Sequence, residues 1–142
     1  MFPLYNQEMF MWTLDDPVRT NAFRSTLARF EILHRYGGVW FDPQMECLNP
    51  FDLDLSVKGF IVPETASVIG AEANAQFLWE TVVRLRQDRH ILNNDAPAAW
   101  HLYHAVLSHD EVVRIPVCKF FPHDSKGHVR CDLSQALTTY HW

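Results

Sequence analysis

From Arg24 to Phe51 the chain reads RSTLARFEILHRYGGVWFDPQMECLNPF, and no other stretch leaves the fold so little choice. Phe23, Leu27, Phe30 and Leu33 recur at helical spacing and make one apolar stripe, with Arg24, Glu31 and Arg35 off it. Gly37 and Gly38 follow Tyr36 directly, so the helix can close on a left-handed residue, a conformation that glycine adopts cheaply. Val39, Trp40 and Phe41 are too apolar for a one-faced strand and predict one covered on both sides. Asp42 falls at that strand's carboxyl end, where open α/β sheets place ligand groups, and Pro43 ends the ladder. A helix, a glycine stop, a buried strand and a carboxylate at its mouth together point to a site.

The same residues resemble a known family. Ser25-Thr26-Leu27-Ala28-Arg29-Phe30, then Gly37-Gly38-Val39-Trp40-Phe41-Asp42-Pro43-Gln44, then Cys47-Leu48-Asn49-Pro50-Phe51 are similar to the DXD-type sugar-binding glycosyltransferases. That group contains α-1,4-N-acetylglucosaminyl-, α-1,6-mannosyl- and capsular-polysaccharide transferase-like proteins. Fainter echoes are Phe120-Phe121-Pro122 and the closing Tyr140-His141-Trp142.

The resemblance implies a single glycosyltransferase-like domain over residues 1–142, an α/β fold of GT-A type with a mostly parallel sheet flanked by helices. It implies transfer of a hexosyl group from a nucleotide sugar to a glycan or other acceptor, as in polysaccharide biosynthesis, with anomeric configuration retained. Asp42 would be the catalytic residue, meeting the donor sugar or ribose, with Asp42 and Gln44 at the metal position. Arg29 would hold donor oxygens, and Ser25, Thr26 and Gly38 would line the donor pocket. Glu64 is a secondary candidate after a strand, and His141 and Trp142 would close on the diphosphate. For Arg29 taken alone, an ordinary surface arginine pairing with Glu31 or Asp42 explains as much; for Glu64, a solvated turn carboxylate does.

Two departures bear on the cofactor. The family's helix aspartate is Thr26 here, and the second aspartate of its DXD is Gln44. Mn2+ or Mg2+ prefers charged oxygen ligands and must hold the leaving diphosphate. Losing one unit charge at about 4 Å from a dication, at an effective dielectric of about 20, forfeits on the order of 8 kcal/mol of gross attraction. Weakened metal binding is the expectation. The family's upstream isoleucine-rich strand has no counterpart before Arg24, which suggests a shortened fold or a strand supplied by a partner chain.

Composition narrows the classes. With 48% apolar and 13% aromatic residues the chain has the material for a packed core. A net charge of −5 argues against a surface that binds nucleic acid by neutralising phosphates. No apolar run reaches the roughly twenty residues of a membrane span, and no signal-peptide pattern appears. Three cysteines without a C-x-x-C suggest reduced thiols and a cytoplasmic setting.

The remaining expectations are local. EMFMWTLDD reads as a short strand or as core-covering packing, with a turn at Asp15-Asp16-Pro17. Strands are expected over 57–64, 67–71 and 112–117. A helix from Asn74 carries Phe77, Leu78, Val82 and Leu85 inward; another, capped by Asp95, carries Trp100, Tyr103, His104 and Leu107. His101 and His104 lack a third ligand at matching spacing and read as packed or exposed histidines. Cys118, His123, His128 and Cys131 are zinc-capable, but their spacing fits no finger pattern, so a structural zinc is not expected. The competing functional classes are a catalytically impaired relative that binds a sugar, nucleotide or protein, and a small zinc-stabilised interaction domain.

Overall fold

The computed structural model describes residues 3–12, 20–50, 57–63, 65–87, 96–123, 125–128, 132, 134 and 136–140. The expected turn at Asp15-Asp16-Pro17, the cap at Asp95, and Glu64, Cys131, His141 and Trp142 lie outside them.

The main sheet runs β1 (Gly38–Phe41), β4 (Val68–Ala71), β3 (Gly59–Ile61), β5 (Val112–Arg114). The β1–β4 and β4–β3 pairs are antiparallel and the β3–β5 pair is parallel. The sheet is therefore mixed, which corrects the mostly parallel one expected. The reason is connection length. A loop of a few residues between β3 and β4 can only reverse the chain, whereas a parallel return needs a crossover of a dozen residues or more. The path from β3 to β5 supplies that crossover through α3 (Gln76–Gln87) and α4 (Ala96–Val106). A separate ribbon pairs β2 (Met45–Cys47) antiparallel with β6 (Thr138–Tyr140), Met45 opposite Tyr140.

Strand alternation feeds two cores. Ile61 and Ile69 face Leu27, Phe30 and Leu33 of α2 (Thr20–Tyr36), together with Phe77, Leu78, Val82 and Leu85 of α3 and Leu102 and Val106 of α4. Phe60, Val62 and Val68 face the other way, onto Ile115, Phe120 and Phe121. The strands covered on both faces are thus β3 and β4. β1, which was expected to be so covered, is an edge strand with Val39 and Phe41 each 38% exposed. An apolar triplet records how much surface wants burial, not which strand of the sheet receives it.

Further expectations change or are decided between. Of the two readings of the amino-terminal stretch, core-covering packing holds and the strand does not: Gln7–Trp12 forms a helix, α1, and Met9 packs into the α2–α3 core. Gln, Glu and Met are good helix formers, and the segment has no period of two. Among the described side chains of α4, His101, Leu102, Ala105 and Val106 are buried, while Trp100 and Tyr103, and Leu107 just beyond the helix, are exposed. This helix is apolar around much of its girth, so periodicity could not choose the face; the compact aliphatic side fits the core. Glu31, placed off the α2 stripe, is 7% exposed, with the backbone N–H groups of Tyr5 and Asn6 set against its carboxylate. The expected strands at 57–64 and 112–117 shorten to three residues each.

The close of α2 follows the sequence. Gly37 has φ +67 and its N–H donates to the Leu33 carbonyl at 2.8 Å, an αL cap. A Cβ there would lie 2.7 Å from the Ala73 backbone nitrogen. Gly37→Ala is therefore expected to cost about 2–4 kcal/mol, backbone strain plus overpacking. Gly127→Ala, at φ +80 with nothing within 4 Å of the new Cβ, bears strain alone and should cost about 1–2 kcal/mol. Urea unfolding measures both; equal losses would remove the Ala73 contact as a cause.

Candidate functional site

Successive side chains on a strand point to opposite faces, so Trp40 and Asp42, two residues apart, share one. The Trp40 indole N–H donates to Asp42 Oδ1 at 3.1 Å. From α2, the Arg29 guanidinium reaches the same oxygen through Nη2, also at 3.1 Å. Its Nη1 donates to the Ala66 carbonyl, and its Cζ lies 4.8 Å from the centre of a Trp40 ring, within range of a cation–π contact. The Asp42 backbone is fixed as well. Its N–H donates to the Ser67 carbonyl at 3.0 Å, and its carbonyl accepts from Met45 N–H at 3.0 Å, closing the turn Asp42-Pro43-Gln44-Met45. Proline at the second turn position suits this geometry. The pair is mostly covered, the two side chains being 10% and 18% exposed.

Arg29 and Asp42, singled out from the sequence, are in contact. Gln44 is exposed on the same turn. Ser25 and Thr26 are half-buried on α2, four and three residues before Arg29. Gly38 opens β1 opposite Ala71, four residues and about 13 Å of extended chain from Asp42. The β2–β6 pairing sets Tyr140 opposite Met45, so the strand leading toward His141 ends beside the 42–45 turn. Trp40 went unremarked as a polar partner. Its i, i+2 relation to Asp42 within a predicted strand was the available signal.

No protein-family model matches this chain, and comparison with curated proteins and with solved structures finds no match. The site stands on its own geometry.

The donor set fits a divalent metal poorly. Asp42 Oδ1 already accepts from a guanidinium, whose charge opposes a dication at the same carboxylate, and Gln44 adds an uncharged amide. Among the described residues no group of three or more His, Cys, Asp or Glu converges as metal ligands. His101 is buried and the His104 ring lies 4.0 Å from that of Trp100, a packed pair. Neither Cys47 nor Cys118 is disulfide-bonded, and Cys118 sits in a short 3-10 turn, Val117–Lys119. Among the described residues no helix is long and apolar enough to cross a membrane.

The arrangement presents a carboxylate whose orientation is over-determined. Two donors hold Oδ1, neither of them bonded to Oδ2, and both backbone groups are tied. Such a carboxylate can accept hydroxyl protons in a fixed geometry without reorganising, which is the property wanted of a group that orients a polyol.

Proposed function

We propose that this chain is a GT-A-like, nucleotide-sugar-binding domain related to the glycosyltransferases, in which Asp42 orients hydroxyls of the donor sugar or ribose. The observation that carries the reading is the fixation of Asp42 by Arg29 and Trp40 at the end of β1. Arg29 acts as a positioning residue, because its terminal nitrogens are engaged with Asp42 and Ala66. The pairing of β6 with β2, which sets Tyr140 opposite Met45 at the end of the same turn, supports the reading. The substrates are a nucleotide sugar and a glycan or similar acceptor.

A binding module without transfer is the second reading. The Arg29–Asp42 pairing favours it, since a carboxylate neutralised by a guanidinium is a weaker nucleophile and base than a free one.

Calorimetric titration with UDP-N-acetylglucosamine and GDP-mannose, followed by a donor hydrolysis assay, tests both. The transferase reading expects binding to one donor and measurable hydrolysis. Asp42→Asn should lower that hydrolysis by about 100-fold while the chain stays folded. Manganese should change wild-type nucleotide affinity by less than about threefold, and Gln44→Asp, which restores the missing charge, should raise that dependence. Binding without hydrolysis selects the binding module. Absence of binding to either donor removes both readings.

A further inference from the structure

On α2, Glu31 lies two residues and roughly 200° beyond Arg29, so it faces the opposite side of the helix from Asp42. There it helps line a cavity of about 400 Å³ with Tyr5, His34, Arg35, Asn74 and Trp79. The volume falls in the range of small-molecule sites.

Glu31 is the group without an obvious purpose. Although 7% exposed, it accepts one backbone N–H on each oxygen, from Tyr5 at 2.6 Å and from Asn6 at 2.9 Å. Burial is the dominant influence on its carboxyl and raises the pKa; what opposes burial is these two N–H groups rather than a cation. Each carboxylate oxygen keeps a further lone pair for a donor. Next to it, burial lowers the pKa of His34, which favours the neutral imidazole with an acceptor nitrogen. Behind the wall Asn6, 2% exposed, gives its amide N–H to the Val82 carbonyl at 3.1 Å, and its Oδ1 accepts no hydrogen bond among the described residues. The aromatic part is contiguous: Tyr5 meets Trp79 edge-on at 4.8 Å and His34 lies 5.4 Å from Trp79. Arg86, outside the cavity lining, sits 4.6 Å over the Tyr5 ring, a cation–π contact.

We propose that this cavity binds a small organic ammonium ion, its N–H groups donating to Glu31 and His34 and its carbon frame packing on Trp79 and Tyr5. An ammonium supplies three donors to a wall rich in acceptors, and the charge that Glu31 lacks a partner for. A sugar also packs on aromatic rings, but its hydroxyls leave that charge uncompensated. Arg35, an exposed residue, is the one guanidinium among the described lining residues, and its charge works against the ammonium.

The test uses the full chain with benzylamine, benzyl alcohol and a methyl glucoside as probes, read by calorimetry and by chemical-shift changes at the Trp79 indole. Benzylamine should bind at least about tenfold more tightly than benzyl alcohol. Glu31→Gln should abolish the preference. Since that variant also places an amide N–H against one of two backbone donors and could unfold, Arg35→Gln provides the second reading. It removes an opposing charge at an exposed site and should raise benzylamine affinity by about two- to fivefold. In the pH range where the Glu31 carboxyl titrates, which burial moves upward, binding should release protons, because an ammonium favours the ionised form. Equal affinity for benzylamine and benzyl alcohol, tighter binding of the glucoside, no benzylamine binding, or an unchanged affinity in Arg35→Gln would each overturn the proposal.

Discussion

Gly70→Ala should destabilise the protein by about 3 kcal/mol or more, one of the largest single-site losses the fold allows. Gly70 pairs with Phe60 across the β3–β4 ladder, and the Phe60 ring lies over it. A Cβ built at position 70 would sit 1.9 Å from Phe60 Cε1 and 2.4 Å from Cδ1, far inside van der Waals contact. One of the two residues must move. The backbone of β4 is held on both sides by β1 and β3, so the ring is the candidate. Phe60, however, is 2% exposed and packed in one cluster with Val62, Val68, Ile115, Phe120 and Phe121. Interiors packed at crystal density transmit such a displacement rather than absorb it. A smaller partner should relieve the clash: in a Phe60→Leu background, the added cost of Gly70→Ala should fall by about 1–2 kcal/mol, the coupling of contacting residues. Urea unfolding of the four proteins measures this. A Gly70→Ala loss under about 0.5 kcal/mol, within the range of surface substitutions, would mean that the ring does not lie where the strand pairing puts it.

The clash also shows what sequence could and could not supply. The α2–Gly37–β1–Asp42 unit was readable because each part is local: a helical stripe, a glycine at the αL cap, a strand ended by proline. The inward stripe of α3 was readable for the same reason, as Phe77, Leu78, Val82 and Leu85 are all buried. Sheet order was not. The residues of β1 and β4 are each apolar, and nothing in Val39-Trp40-Phe41 says that they lie at an edge while Val68-Ile69-Gly70 lie at the centre. That ranking is set by which connections are short, and so by antiparallel pairings the family resemblance did not supply. α4 failed differently, because a helix with apolar residues on most sides carries no phase. Glu31 failed because its partners, Tyr5 and Asn6, are distant in sequence, and their backbone N–H groups make a buried carboxylate tolerable. At the site itself, the pairing of Arg29 with Asp42 was among the readings open from the start. The burial that turns a surface ion pair into a fixed one was not.

That burial sets the second large effect. Arg29→Met should cost about 2–4 kcal/mol: it leaves Asp42 without its counter-charge in a mostly covered position, with some discount for the solvent that reaches the pair. It also frees the Ala66 carbonyl and removes the cation from the Trp40 ring. Asp42→Asn should cost less, about 1–3 kcal/mol, because an amide oxygen still accepts from the Arg29 guanidinium and the Trp40 indole while the guanidinium loses only its counter-charge. The double variant, which buries neither charge, should be more stable than the sum of the two losses predicts, by about 1–2 kcal/mol. Unfolding midpoints for the four proteins test this, and losses that add to within about 0.5 kcal/mol would show two residues that neighbour each other without coupling. The cycle also separates folding from the role proposed for Asp42. If the carboxylate orients a donor hydroxyl, the double variant regains stability and no donor affinity, whereas a purely structural pair would let both measurements recover together.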